Sequence, residues 1–181
     1  FPLDGGPERV IAEKAGADLG PVLLHPRDYH AEAAGFELDR LHWTVLDDKL
    51  EDDFARLSAL DGDIQLVSRD DADRIWYVLV NKADGSPSFW RWDRAAKQAS
   101  LLFKTRPALD EWPLAPMTPV GFAARDGLAI SGYLTTPKGA APKGLPLVLL
   151  VHGGPWVRDH WCFHAESQWL ASLGCACLQL N

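Results

Sequence analysis

The chain has 181 residues, of which 47% are hydrophobic, so it can bury a real core and does not have the composition of a disordered protein. Its formal net charge is −7 and it has no basic cluster, which argues against nucleic-acid binding as its main task. No apolar run reaches the ~18 residues that a membrane span needs. The charge is uneven, because residues 1–112 contain 22 acidic and 14 basic residues and the remainder contains 3 and 4. This asymmetry indicates two units with different surroundings.

The cysteines and the chain ends add two expectations. Cys162, Cys175 and Cys177 are odd in number and close together, which disfavours a disulfide framework and favours a reducing, cytoplasmic compartment. The sequence opens without Met and ends directly after an apolar, strand-like run. We therefore expect an internal piece of a longer polypeptide.

The first part of the chain predicts short strands and one helix. Residues 10–12, 21–25 and 35–46 favour strands. An amphipathic helix is then predicted near 49–60, with Asp48 as its N-terminal cap. Its apolar residues recur at three- and four-residue steps: Leu46, Leu50, Phe54 and Leu57. The acidic first turn of this helix suits the helix dipole and needs no functional explanation.

Four closely spaced strands follow the helix, joined by tight turns at 63–68, 74–81, 88–93 and 99–104. This pattern is typical of one β-propeller blade, although no clear repeat is legible elsewhere in the first part. A single blade cannot bury its own faces, so the pattern also points to further sequence.

A proline-rich stretch at 107–119 excludes a regular helix or a central strand, and we interpret it as the crossing between two domains. The elements beyond it predict an α/β sheet that begins antiparallel and turns parallel. They are a hairpin of 120–124 and 128–134, a loop at 138–144, a buried strand at 147–151, a helix at 160–173 and a strand at 175–180.

The strongest chemical motif follows the strand at 147–151 and reads His152-Gly153-Gly154-Pro155-Trp156. In α/β-hydrolases the loop after the third strand donates a backbone N–H to the oxyanion of the tetrahedral intermediate. Glycine is needed there because a side chain would block the substrate carbonyl. The alternative is a strand-to-helix turn without chemistry, which the flanking elements make less favoured.

Several short motifs together resemble a known family. In chain order they are Arg125-Asp126-Gly127, Gly132-Tyr133-Leu134, Pro137, Leu147 to Trp156, Arg158-Asp159, Gln168-Trp169-Leu170-Ala171 and Leu178-Gln179-Leu180-Asn181. Residues 119–181 resemble the start of the catalytic domain in the prolyl oligopeptidase family of serine peptidases, which includes dipeptidyl and acylaminoacyl peptidases. Residues 40–118 resemble the closing part of the propeller that precedes it, notably through Ser68-Arg69-Asp70 and the stretch from Leu102-Phe103 to Pro116.

The resemblance implies a mixed fold, mainly antiparallel β as a partial propeller over 1–112 and then the first part of an α/β-hydrolase sheet over 113–181. It implies that the Gly154 N–H is the oxyanion donor and that Gly153 allows the substrate to approach. His152, Pro155 and Trp156 are supporting residues. His152 anchors the loop rather than acting as the catalytic base, and Trp156 forms either a pocket wall or part of the core.

By the same resemblance, the parent protein hydrolyses short peptides through an acyl-enzyme, without cofactor or metal, and the propeller limits access by size. No serine of the chain stands in a G-x-S-x-G context, so the triad is incomplete and we expect the isolated segment to be inactive. Two alternatives stay open: a non-peptidase esterase of the same fold, and a non-catalytic, propeller-based binding module.

The sequence offers one metal-like cluster, formed by Asp159, His160, Cys162 and His164. His160 and His164 could share a helix face, but a third ligand at helical spacing is missing, so structural roles are favoured and no metal is expected. Cys175 and Cys177 are interpreted as small buried residues. No role is assigned to His25, His30 and His42. If the segment is stable alone, exposed strand edges at its two ends predict a homo-oligomer formed by dimerisation or swapping.

Overall fold

The computed structural model describes residues 5–141 and 143–181, so residues 1–4 of the first predicted unit and Pro142 of the predicted 138–144 loop lie outside the described residues. The described part contains eleven strands, two α-helices and two short 3-10 helices. The strands are β1 (Asp18–Leu24), β2 (Ala31–Glu37), β3 (Leu41–Val45), β4 (Asp63–Arg69), β5 (Ile75–Asn81), β6 (Ser88–Asp93), β7 (Gln98–Lys104), β8 (Met117–Ala123), β9 (Ala129–Thr135), β10 (Leu147–Leu150) and β11 (Ala176–Leu180). The α-helices are α1 (Glu51–Leu57) and α2 (Ala165–Ser172), and the 3-10 helices are Asp48–Leu50 and Pro107–Glu111.

These strands form three sheets. The first sheet has the order β1-β2-β3 and the second is the meander β4-β5-β6-β7, both wholly antiparallel. The third has the order β10-β11-β9-β8, in which only β10 and β11 run parallel. The prediction of a mainly antiparallel β protein with few helices is confirmed, as is the sheet that begins with a hairpin and turns parallel.

Helix α1 supplies one face of the main core. Leu50, Phe54 and Leu57 are buried, as their spacing predicts, and they pack with Trp76 and Trp92 from the meander. The predicted cap is one residue off, because Asp47 rather than Asp48 accepts the Lys49 N–H, at 3.0 Å. This bond starts a 3-10 turn that leads directly into α1.

Three other expectations are wrong. The strand predicted as buried at 147–151 exposes Leu147 and Leu149, because β10 is the edge strand of its sheet. Residues 10–12 form no strand, and Val10 and Ile11 are largely exposed because no neighbouring strand pairs with them. The second helix begins at Ala165 rather than near residue 160. His164 has an extended φ of −118° and its side chain accepts the Ser167 N–H at 3.4 Å, which fixes the start of α2 there.

Contacts between α2 and the β4–β7 meander connect the third sheet to the first two sheets. Gln168 is the main link: its Nε2 donates to the carbonyl oxygens of Ala83, at 3.1 Å, and Ala115, at 2.8 Å. Its Oε1 accepts the Ala115 N–H at 2.8 Å. The Trp161 Nε1 donates to the Met117 carbonyl oxygen at 2.9 Å. The Arg40 guanidinium carbon lies 3.6 Å from the centroid of the Trp161 ring. In the part of the chain that the structure describes, no helix is long and apolar enough to cross a membrane.

Candidate functional site

The glycine loop from His152 to Trp156 lies at the carboxyl end of a parallel strand pair. It follows β10, which pairs in parallel with β11 from Leu147 opposite Ala176 to Leu150 opposite Gln179. In sheets with parallel strands, ligands bind beyond the carboxyl ends of the strands. The loop therefore occupies the edge of the sheet at which chemistry is expected.

The two glycines of this loop differ in their surroundings. Gly154 has a φ of +130°, and a Cβ there would lie 2.6 Å from Val157 Cγ2 and 2.9 Å from the Trp156 nitrogen. A side chain at Gly154 is therefore excluded both by the backbone conformation and by contact. A Cβ at Gly153 would meet nothing within 4 Å, so the space above that residue is open.

The remaining residues of the loop are held locally or lie exposed. The His152 Nδ1 hydrogen-bonds the Gly153 carbonyl oxygen at 2.9 Å, which ties the ring to the loop itself. The Gly154-Pro155 peptide bond is cis. Trp156 is 96% exposed, so none of the described residues packs over its ring. In the described structure, Trp156 does not belong to a core.

Two side chains directly after the loop hold its downstream end. The Arg158 guanidinium donates to the carbonyl oxygens of Glu37 and Leu38, both at 2.9 Å. Asn181, after β11, accepts the Asp159 N–H on its Oδ1 at 2.7 Å and donates from Nδ2 to the Asp159 carbonyl oxygen at 3.2 Å. The loop is thus fixed by β10 on one side and by Arg158 and Asp159 on the other.

An ionic contact lies beside these anchors. The His160 Nδ1 is 3.4 Å from Glu37 Oε2. This contact raises the pKa of His160 and lowers the pKa of the Glu37 carboxyl, against a smaller opposing effect of burial on each. Between the lowered pKa of Glu37 and the raised pKa of His160, the pair therefore carries opposite charges across the junction between β2 and the segment after the glycine loop.

A cavity of about 460 Å³ lies next to the same anchors. Glu37, Tyr133, Arg158 and Asn181 contribute to its walls, together with residues of β8 and β9. Burial raises the pKa of the Tyr133 hydroxyl at the wall of this cavity. Residues 152–156 do not line the cavity, so it is separate from the space above the glycines.

The metal-like cluster predicted from sequence does not assemble. Because α2 begins at Ala165, His160 and His164 do not share a helix face. His160 contacts Glu37, and His164 caps α2. Burial raises the pKa of the Cys162 thiol and of the Cys177 thiol, and all three cysteines are free. The side-chain groups that do lie close enough to hold an ion, among residues 5–141 and 143–181, are around His30 instead.

Sequence reasoning found the glycine loop but missed what positions it. Arg158 and Asn181 stood only in the list of matching motifs, and Asp159 was otherwise considered only as a member of the metal-like cluster. Their partners are far along the chain, since Arg158 bonds Glu37 and Leu38 from 121 and 120 residues away. No local spacing signals such contacts.

Comparison with known proteins gives two curated relatives along the whole chain. The chain is 36% identical over 191 aligned positions to dipeptidyl aminopeptidase BIII of Pseudoxanthomonas mexicana. It is 28% identical over 205 positions to dipeptidyl peptidase family member 6 of Caenorhabditis elegans. The chain spans 28% of the length of each of these relatives. No protein-family model matches the chain.

Solved structures give the same grouping at the level of fold. A prolyl endopeptidase structure matches 94% of the chain with a TM-score of 0.65 and 15% identity, over 25% of its own chain. The acylaminoacyl peptidase of Pyrococcus horikoshii matches 94% of the chain with a TM-score of 0.58 and 16% identity, over 26% of its own chain. The whole-length sequence matches and this fold agree with the motifs of residues 119–181: the chain is similar along its whole length to dipeptidyl peptidases, and it has the fold seen in prolyl endopeptidases and acylaminoacyl peptidases.

Proposed function

We propose that this chain carries the oxyanion-hole loop of a serine peptidase that hydrolyses short peptides through an acyl-enzyme. In this proposal the Gly154 N–H donates to the oxyanion, and Gly153 leaves room for the substrate carbonyl. His152, Pro155 and Trp156 support the loop. The catalytic serine and the rest of the triad come from other parts of the full-length protein, so the 181-residue chain alone is inactive.

The observation that carries the proposal is the place and shape of the loop. It follows β10 at the carboxyl end of the parallel β10–β11 pair, and Gly154 has a backbone conformation that favours glycine. The backbone, not a side chain, faces open space at Gly153. Preorganised backbone donors of this kind stabilise charge that develops in the transition state of acyl transfer.

The domain assignment belongs to the same proposal. Residues 1–112 form part of a propeller-like domain, supported by the four-stranded meander β4–β7, and residues 113–181 begin the α/β-hydrolase sheet. The place of β10 supports the second assignment, because β10 is the third strand of its sheet along the chain. The loop after that strand is the one that supplies an oxyanion donor in α/β-hydrolases.

The test uses Gly154→Ala and Gly153→Ala in the full-length protein, assayed on a chromogenic dipeptide substrate. At Gly154 the new methyl group forces the loop to shift, because it would lie 2.6 Å from Val157 Cγ2. We expect kcat to fall on the order of 10²-fold to 10³-fold, the usual cost of losing one oxyanion donor. At Gly153 the methyl group meets no protein atom within 4 Å, so we expect mainly a higher KM.

Labelling by a fluorophosphonate probe completes the test. The full-length protein should be labelled and should cleave the peptide substrate, whereas cleavage of esters with no cleavage of peptides would indicate an esterase. An unlabelled full-length protein would indicate a binding module. Full kcat in a folded Gly154→Ala protein, or turnover by the 181-residue chain, would contradict the assignment of the loop.

A further inference from the structure

Two histidines and an aspartate meet in the turn that joins β1 to β2. The backbone closes this turn, because the His25 N–H donates to the His30 carbonyl oxygen at 2.9 Å and the Tyr29 N–H donates to the His25 carbonyl oxygen at 3.1 Å. Tyr29 takes a left-handed conformation, with φ +60°. The turn therefore brings His25 and His30 face to face although they lie five residues apart.

The ring nitrogens converge on one carboxylate oxygen. The two imidazoles stack with centroids 5.0 Å apart and planes 19° apart. Asp28 Oδ1 lies 2.8 Å from the Nδ1 of His25 and 2.5 Å from the Nδ1 of His30. One potential ligand atom from each of the three residues lies within 4.8 Å of the others. Tetrahedral zinc with bonds of 2.0–2.1 Å holds its ligands about 3.3 Å apart, so small side-chain rotations bring the three atoms to that geometry.

A further carboxylate lies behind His30. Asp47 Oδ2 is 3.7 Å from the His30 Nε2, and Asp47 is itself fixed because its Oδ1 accepts the Lys49 N–H at 3.0 Å. A carboxylate at the second ring nitrogen is the arrangement that orients a zinc-bound histidine. Glu32 is also close to His30, but it is buried in an ion pair with Arg69 at 2.5 Å and is not free to bind a metal.

We propose that His25, Asp28 and His30 bind one zinc ion, through the Nδ1 atoms of the two histidines and a carboxylate oxygen of Asp28. Asp47 orients His30, and the fourth coordination position faces solvent. Two imidazoles and one carboxylate are a donor set that suits zinc, whereas calcium and magnesium prefer oxygen ligands alone. The ion joins the end of β1 to the start of β2 and so clamps the hairpin.

Zinc titration of the full-length protein by calorimetry tests the site, after dialysis against a chelator and at about pH 8, above the ordinary histidine pKa. His25→Gln and His30→Gln each remove one nitrogen ligand, and we expect each to weaken binding at this site at least tenfold. His42→Gln is the matched control. His42 forms a similar exposed pair with Asp39 at 2.7 Å, three residues away, but belongs to neither potential ligand group of the described residues. We expect it to bind zinc like the unchanged protein.

Asp47→Asn and thermal unfolding extend the test. Asn keeps the capping bond at the 3-10 turn but removes the charge behind His30, so zinc binding should weaken about tenfold without loss of fold. Zinc should raise the Tm of the unchanged protein and of His42→Gln, but not that of the His25→Gln/His30→Gln double variant. The same zinc stoichiometry and affinity in the double variant as in the unchanged protein would overturn the proposal and assign the zinc to other ligands, such as the cysteines.

Discussion

The part of the molecule built from β1 to β7 and the part built from β8 to β11 stabilise themselves in different ways. The first has a core in which Trp76, Trp92 and the buried face of α1 pack together. The second has a small buried cluster around Met117 and Tyr133, and its outermost strand β10 exposes half of its apolar side chains. The glycine loop is therefore carried by the part that depends more on backbone pairing and on a few anchors than on a large core.

The first part also contains a buried network of charged side chains. In the first part Asp53 is fully buried and its carboxylate accepts from Trp92 Nε1 at 2.9 Å, Arg94 Nε at 2.9 Å and Lys97 Nζ at 2.7 Å. Arg94 continues the network to Asp73. A buried charge is tolerated only when it is paired and hydrogen-bonded, and here three donors do so. The polar interior of the first part is thus structural.

The largest expected effect comes from breaking this network with Asp53→Asn. The substitution leaves Arg94 and Lys97 facing a neutral, buried amide, and removing one partner of a buried pair costs about 3–5 kcal/mol of unfolding free energy. Asp52→Asn is the control on the same helix, because Asp52 is half exposed and pairs with Arg56 and Lys97 at the surface, and it should cost far less stability than Asp53→Asn. Urea denaturation of both variants measures the difference, and equal losses would refute a structural role for the buried charge.

A smaller effect is expected from Gly132→Ala in the second part. Gly132 pairs with Leu180 across β9 and β11, and a Cβ there would lie 2.1 Å from the Gln179 carbonyl oxygen. Because that neighbour is backbone, it can give way only if the strands separate, and we expect a loss of about 2–3 kcal/mol. Gly121→Ala in the neighbouring β8 is the control, since its nearest atom would be at an ordinary 3.6 Å. A folded Gly132→Ala chain as stable as Gly121→Ala would show that β11 is not held by close backbone approach.

The same contrast governs what the sequence could predict. In the first part, tight turns and a helical period are local signals, so the four strands of the meander and the buried positions Leu50, Phe54 and Leu57 were predicted within a residue or two. In the second part, the apolar run of β10 and the two glycines that follow it identified the loop. Both signals depend only on residues that are neighbours in sequence.

What the sequence could not provide were contacts between distant or unusual partners. Arg158 shares no motif with the carbonyl oxygens of Glu37 and Leu38 that it binds. His164 is not a residue type that typically caps a helix, so the start of α2 was placed too early. His25 and His30 became neighbours only through the closure of a turn with a left-handed tyrosine. Each of these depends on backbone geometry that residue spacing does not encode.

The smallest expected effect concerns the ionic contact that connects the two parts. Glu37 ends β2 and His160 follows the glycine loop, and Arg158 and Asp159 are the other charged groups that act on His160. The raised pKa of His160 makes its contribution to stability complete below the ordinary value of 6.5, and the contribution is lost as pH rises through the raised pKa. The lowered pKa of Glu37 makes its contribution complete above 4.5, and the contribution is lost as pH falls through the lowered pKa. The contact should therefore stabilise most between about pH 5 and 6.

His160→Gln and His160→Lys separate this contact from other pH effects. Because the His160 side chain is 54% exposed, solvent screening limits the difference between the unchanged chain and His160→Gln to less than about 1 kcal/mol, and this difference should fade as the pH rises through the raised pKa of His160. Lys keeps its charge over this range, so the difference between His160→Lys and His160→Gln should persist at pH 8. Urea unfolding across this pH range measures both differences. A difference between the unchanged chain and His160→Gln that grows above about pH 7 would mean that neutral His160, not the ion pair, joins the two parts.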